Sequence, residues 1–193
     1  MIRSELLIPL AYAAGTFPTA RLVARRKGAD IETSGSGNPG ASNTARVLGW
    51  KSGVVVLLVD IAKGALPAGL GLWLDGRPGA WMLGIAATLG HIWPAQRKFR
   101  GGKGVATAGG LVWVIDPLVA AVILLIWGLV ARLTGKASVA SLIGIVCVPI
   151  AMAARGRDPW EVVAASAVAV ILIVRHRSNL LRLFRGAEPP LAT

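Results

Sequence analysis

The chain has 193 residues, 54% of them hydrophobic and only 16% charged, with a mean hydropathy of +0.64. An ordinary soluble domain carries about 25% charged residues, so the composition argues against a water-soluble globule, and the apolar content excludes a disordered chain. Lys and Arg number 21 against nine Asp and Glu, a net charge of +12, which in so apolar a chain fits a membrane protein with basic loops facing anionic lipid heads or phosphorylated substrates.

Apolar runs follow one another along the chain as candidate spans. The first three are Leu6–Ala24, Gly53–Leu74 and Gly79–Ala95. Gly104–Leu133 comes next and would be about 45 Å long as one helix, against a hydrocarbon core of about 30 Å. Asp116-Pro117 interrupts it. Proline disfavours helical geometry at the residue before it, and a carboxylate is costly in lipid. The run is therefore predicted to split into Gly104–Ile115 and Pro117–Leu133, the former too short to cross unaided. Ala137–Ala153 and Trp160–Val174 complete seven segments. The expected fold is all-α: a single polytopic membrane domain, 1–193, with a loose tail at 186–193.

Seven passes place Arg21–Lys51, Pro94–Lys103, Arg132–Ser138 and the tail from Arg175 on one side, with 16 of the 21 basic residues, and Arg3, Arg77, Arg155 and Arg157 on the other. The positive-inside rule then puts the rich side in the cytoplasm and the N-terminus outside. A cleaved signal peptide is disfavoured, because Arg3 beside Glu5 makes a weak basic start and cleavage would spoil the charge parity. Nucleic-acid binding is disfavoured too: the basic residues lie in short loops between lipid-length runs, not on a soluble basic face. Cys147, the lone cysteine, sits in an apolar run and is too deep to carry an acyl group; no metal-ligand cluster is visible.

The loop after the first span reads Gly35-Ser36-Gly37-Asn38-Pro39-Gly40-Ala41-Ser42-Asn43. Glycines at this density let backbone N–H groups converge on an anion. The string matches G-x-G-x-x-G and Asp60 follows Gly40 by 20 residues, but no apolar strand precedes Gly35, so a dinucleotide fingerprint is rejected. A flexible linker is the bland alternative, yet Ser36, Asn38, Ser42, Asn43 and Arg46 supply more donors than a linker needs.

A second loop, Arg100-Gly101-Gly102-Lys103-Gly104-Val105-Ala106-Thr107, sets a lysine among glycines at the start of a helix. Backbone donors, a positive helix end and an ammonium converge there. It is not a Walker A motif, since no Ser or Thr follows a Gly-Lys pair. Arg175-His176-Arg177-Ser178-Asn179 ends the last span, with His176 and Asn179 on one helical face. Asp60 and Lys63, three apart inside a span, either neutralise each other or support a site. His91, before Ile92-Trp93-Pro94, reads as structural. In the seven-pass layout the two glycine loops and His176 share the cytoplasmic side, which suits two phosphorylated groups held beside lipid.

The strings GSGNPGASN, DIAKG, GHIWPAQRKFRGGKGVAT and RHRSNLLRL resemble the motifs of the bacterial PlsY family, membrane-integral glycerol-3-phosphate acyltransferases that use acyl phosphate. The resemblance covers nearly the whole chain. It implies seven membrane helices in the bacterial inner membrane, no cofactor, and transfer of a fatty acyl group to the 1-hydroxyl of glycerol 3-phosphate. The products would be lysophosphatidate and inorganic phosphate, opening phospholipid synthesis. It assigns Gly35, Ser36, Gly37, Asn38, Gly40, Ser42, Asn43, Gly102 and Gly104 to the acyl-phosphate phosphate. Ser36, Arg46, Lys103, His176 and Asn179 would bind glycerol 3-phosphate, with His176, Ser36 and Asn179 catalytic and Asp60, Lys63 and Thr107 supporting. Ser42 stands where the family usually has Thr, and Trp93 with Ala95-Gln96-Arg97 replaces a more aromatic stretch. The His-x₄-Asp signature of the other acyltransferase superfamily is missing, since Leu181 and Gln96 occupy the relevant positions.

Acyl phosphate is already activated, so the enzyme need only position substrates, neutralise charge and assist loss of the hydroxyl proton. His176 can serve as general base, or orient the acceptor while a substrate phosphate oxygen takes the proton. Two rivals are a transporter of small phosphorylated anions, suggested by Asp60 and Lys63 within a span and by glycine-interrupted helices, and an acyltransferase using a thioester donor, for which no nucleotide-recognition loop is visible.

Overall fold

The computed structural model describes residues 3–191, and among these it is all-helical. A 3₁₀ turn, Ser4–Leu7, leads into α1 (Ile8–Gly15), α2 (Thr19–Arg26), α3 (Ala41–Leu48) and α4 (Trp50–Ile92). After a second 3₁₀ turn, Ala95–Arg97, come α5 (Val105–Ile115), α6 (Pro117–Thr134), α7 (Ala137–Ala154), α8 (Pro159–Arg175) and α9 (Arg177–Phe184).

Among the described residues, four segments are long and apolar enough to cross a bilayer: Ser4–Arg26, Trp50–Arg97, Pro117–Thr134 and Ala137–Ala154. The α8–α9 pair, bent by 56°, makes a fifth if taken as one span. The first apolar run is not one continuous helix. It breaks between α1 and α2, where Pro18 lacks an N–H and disfavours helical geometry at Phe17.

At 43 residues, an unbroken α4 would be about 65 Å long, roughly twice the hydrocarbon core. It is broken at Asp75 (φ −135°) and Gly76 (φ 65°), a left-handed angle that glycine adopts freely. The two arms fold back on each other: a Cβ on Gly71 would lie 2.2 Å from the Gly79 carbonyl oxygen. This is the boundary expected between Gly53–Leu74 and Gly79–Ala95. The expected split of the 30-residue run also falls as the Asp-Pro pair dictates, with α5 ending at Ile115 and α6 opening at Pro117.

The described residues fall into two compact units, 3–115 and 116–191. In the first, α4 packs against α1 and α5, with Ala11, Leu83 and Ala86 in a core flanked by Leu7 and Tyr12. Small residues let these helices meet backbone to backbone, as in many membrane bundles. A Cβ on Gly64 would stand 1.9 Å from the Thr107 carbonyl oxygen, and one on Gly110 2.1 Å from that of Ile61.

In the second unit α7 packs on α6 and α8, and the Trp127 indole N–H donates to Ser141 Oγ at 3.1 Å. Asp116 caps α6 by accepting from the Val119 N–H (3.2 Å), and its other oxygen accepts from Arg155 (2.8 Å) and Arg157 (2.5 Å). Burial alone would raise its pKa; the two guanidinium groups outweigh that and hold it at about 2. A carboxyl with a depressed folded pKa contributes stability that is present above its ordinary pKa and lost as pH falls through the folded value. Asp116→Ala loses cap and ion pairs together and is expected to cost about 2–4 kcal/mol. Asp116→Asn keeps the cap and should cost about half as much. In detergent, the wild type should lose thermal stability as pH falls from about 5 to 2, and Asp116→Asn should show a shallower fall. Equal slopes would contradict this account.

The segment expected to be a loose tail is fastened as far as Leu191. Glu188 is buried and accepts from Asn179 (2.6 Å) and Arg182 (2.8 Å), and the Leu191 N–H donates to the Gly135 carbonyl at 2.6 Å. Residues 192 and 193 of that expected tail lie outside the described residues.

Candidate active site

The first glycine loop is shaped from inside by Asn43, which is 1% exposed. Its Oδ1 accepts from the Ser36 N–H (2.8 Å) and Arg46 Nη1 (3.2 Å), and its Nδ2 donates to the carbonyls of Ile31 (3.1 Å) and Ser34 (3.0 Å). Two donations and two acceptances exhaust a carboxamide. The Asn43 side chain therefore braces the loop and has no capacity left for a phosphate, which leaves its backbone N–H in the first turn of α3. The Ser36 backbone N–H is likewise committed, while the Ser36 side chain is half-buried at the loop surface.

Gly35 (φ 61°) and Gly37 (φ 70°) take left-handed angles that let the chain turn around this brace. The loop then opens α3 through Gly40, so the first N–H groups of that helix face the end of the loop. Ser42, in the first turn of α3, and Asn38 are half-buried beside it.

The second loop, Gly101–Gly104, is pinned to the end of α4. The Gly102 N–H donates to the His91 carbonyl at 3.1 Å, and a Cβ on Gly102 would stand 2.2 Å from His91 Nε2. Tyr12 ties down the preceding turn: its hydroxyl donates to the Trp93 carbonyl (2.5 Å) and accepts from the Ala95 N–H (2.9 Å). Lys103 is half-buried, and Gly104 (φ 86°) delivers the chain into α5. Thr107 is fully buried without a hydrogen bond to its hydroxyl, and its carbonyl packs on Gly64. Pro39 of the first loop and Gly101 and Gly102 of the second border one cavity, together with Asp60, Lys63 and His91. The structure thus brings the two loops to a common place within the first unit.

Asp60 and Lys63 do pair with each other, Oδ1 to Nζ at 2.8 Å. Lys63 also reaches His91 Nδ1 (3.2 Å) and the Phe17 carbonyl (2.9 Å) freed at the break before α2. Sequence reasoning read His91 as structural and did not link it to the loop. Tyr12 and Glu188 gave no signal at all.

His176 and Asn179 belong to the second unit. His176 sits at the bend between α8 and α9 and is 1% exposed. Its Nδ1 lies 2.8 Å from the Leu172 carbonyl oxygen. A carbonyl only accepts, so Nδ1 carries a proton, and whenever the ring is neutral its lone pair is at Nε2. Asn179, 2% exposed, donates to Glu188 and leaves its Oδ1 without a hydrogen-bond partner. Burial pushes the Glu188 carboxyl up, but the Asn179 amide and the Arg182 guanidinium hold it below its ordinary value. Glu188 accepts only, when ionised, so it fixes which end of the Asn179 amide faces it.

A model of the glycerol-3-phosphate acyltransferase family matches residues 6–186. Glycerol-3-phosphate acyltransferases of Staphylococcus aureus strains JH9 and Newman are each 36% identical over 198 positions, covering 96% of this chain and 96% of each relative. Two crystal structures of PlsY (YgiH), an integral membrane glycerol 3-phosphate acyltransferase, share 34% identity with it. The glycerol 3-phosphate form superposes with a TM-score of 0.93, covering 97% of this chain and 95% of its own. The lysophosphatidic acid form gives 0.90 over 97% and 94%. Identity at this level over nearly the full length, with the same fold, places the chain in the glycerol-3-phosphate acyltransferase family.

Proposed function

We propose that the chain transfers a fatty acyl group from acyl phosphate to the 1-hydroxyl of sn-glycerol 3-phosphate. The hydroxyl oxygen attacks the acyl carbon, the acyl–phosphate bond breaks, and lysophosphatidate and inorganic phosphate leave. The observation that carries this reading is the pair of glycine loops bordering one cavity in a chain of this family. Anionic phosphates are best held by converging backbone N–H groups and fixed cations.

Gly35, Ser36, Gly37, Asn38, Gly40, Ser42, Gly102 and Gly104 are assigned to the donor's phosphate, with Asn43 supporting them from within. Ser36, Arg46, Lys103, His176 and Asn179 are assigned to glycerol 3-phosphate. The His176 tautomer suits a proton acceptor at Nε2, and the buried Asn179 Oδ1 suits a hydroxyl donor. The transport reading rested on Asp60 and Lys63 within a span and on glycine-interrupted helices, and the mutual pairing of the two charges weighs against the first of these.

Seven crossings also follow in this reading. The break at Asp75 and Gly76 supports two crossings in α4, and α5 is a short one. The residues N-terminal to α3, together with α6, α7 and α8, supply the others. The resulting placement of 16 of 21 basic residues supports a cytoplasmic site in the bacterial inner membrane and an external N-terminus.

The decisive assay presents purified protein with labelled glycerol 3-phosphate and one of three donors: acyl phosphate, acyl-CoA or acyl carrier protein thioester. Lysophosphatidate is expected from acyl phosphate without ATP, and at an unchanged rate with a chelator. An equal or faster rate with either thioester would overturn the donor assignment.

A further inference from the structure

Lys63 lies within α4, buried, and its ammonium has three protons to place. The structure supplies three acceptors: Asp60 Oδ1 at 2.8 Å, the Phe17 carbonyl at 2.9 Å and His91 Nδ1 at 3.2 Å. Asp60 Oδ1 is further held by the Thr19 hydroxyl at 3.2 Å. Paired with Asp60, Lys63 is read as an ammonium, which has no lone pair. His91 Nδ1 must therefore accept, which makes the ring neutral with its proton on Nε2. That nitrogen lies against Gly102, whose N–H is bound by the His91 carbonyl.

We infer that Asp60, Lys63 and His91 form a positioning relay, which holds His91 as a neutral Nε2–H imidazole against Gly102 and so sets the shape of the Gly101–Gly104 anion loop. His91 is a positioning residue here, acting through the loop. The inference rests on the reading of that loop as a substrate-phosphate site. Protonating His91 would place a second cation 3.2 Å from the Lys63 ammonium. The other charged groups bordering the cavity are Arg21 from α2 and Arg97 from the 3₁₀ turn, and both oppose protonation as well. Asp60 Oδ2 is 4.0 Å from His91 Nδ1, and Lys63 offsets the pull of that carboxylate, which would otherwise favour a protonated imidazole.

The chain has only two histidines, which makes nitrogen-15 NMR of histidine-labelled protein in nanodiscs readable, with a His176→Gln sample to assign the pair. The wild type is expected to show His91 neutral, with the proton on Nε2, from pH 8 down to 5.5. In Lys63→Met the ring should take a proton at Nδ1 beside Asp60 within that range. KM for glycerol 3-phosphate should then rise about tenfold at low pH, with kcat of the active fraction changed less than threefold. Lys63→Arg, also a donor-only cation, should restore the neutral ring and part of the KM. A purely structural defect would lower active fraction and leave KM alone. Wild-type His91 that titrates in this range, or carries its proton on Nδ1, overturns the relay, and that measurement needs no variant. A wild-type KM in Lys63→Met at every pH also overturns it. If the spectra come out as expected while Gly102→Ala keeps its KM, the loop's role as a substrate site is what fails.

Discussion

Replacing His176 by Ala is expected to lower kcat by about 10²–10⁴-fold, the usual worth of a positioned general base. The geometry behind the number is the 2.8 Å bond from Nδ1–H to the Leu172 carbonyl. It fixes the tautomer and turns the basic lone pair to Nε2. Two further variants separate proton transfer from orientation. The amide of His176→Asn falls near the level of Nδ1 and can copy the bond to Leu172 without reaching the substrate. That of His176→Gln falls near Nε2 and can accept a hydroxyl without acting as a base near neutral pH. If the imidazole takes the proton, both variants should approach the Ala level. Most of the activity surviving in His176→Gln would show that His176 only orients the acceptor, and a substrate phosphate oxygen would then become the base.

Much of the helical layout was readable because its boundaries are set by local chemistry. Asp116-Pro117 can only end one helix and start the next, and Asp75-Gly76 breaks α4 where a polar pair interrupts the apolar run. Pro18 carried the same kind of signal but was absorbed into a long apolar run. What escaped the sequence were side-chain bonds between distant positions. Lys63 and His91 are 28 positions apart and Tyr12 and Trp93 are 81 apart; such pairings leave no local pattern. The side-chain role of Asn43 was hidden for a different reason. An asparagine in a glycine loop looks the same whether it faces a ligand or the loop's own backbone, and only the direction of its four hydrogen bonds decides. Glu188 was hidden by its place near the C-terminus, where a short polar segment reads as slack until a buried partner such as Asn179 is known.

Lys103→Ala should raise KM for glycerol 3-phosphate by about 10- to 150-fold, the equivalent of the roughly 1.5–3 kcal/mol that a hydrogen bond to a charged group contributes. Lys103 is half-buried and lies two residues before the first turn of α5, so its charge is screened less than that of a surface lysine. The backbone donors of that turn survive the substitution, so binding should weaken without vanishing. Lys103→Arg keeps the charge but replaces a compact ammonium by a planar fork, and the glycine turn leaves it little room. Gly104 sits at φ 86° and Gly102 is closed off by His91. The arginine variant should therefore recover only part of the loss. The two residues also predict different kinetic signatures: Lys103→Ala falls mainly on KM and His176→Ala mainly on kcat, because one holds charge present throughout the reaction and the other acts as the proton moves. If Lys103→Ala keeps near wild-type kinetics for both substrates, the phosphate lies elsewhere and the second glycine loop is not its site.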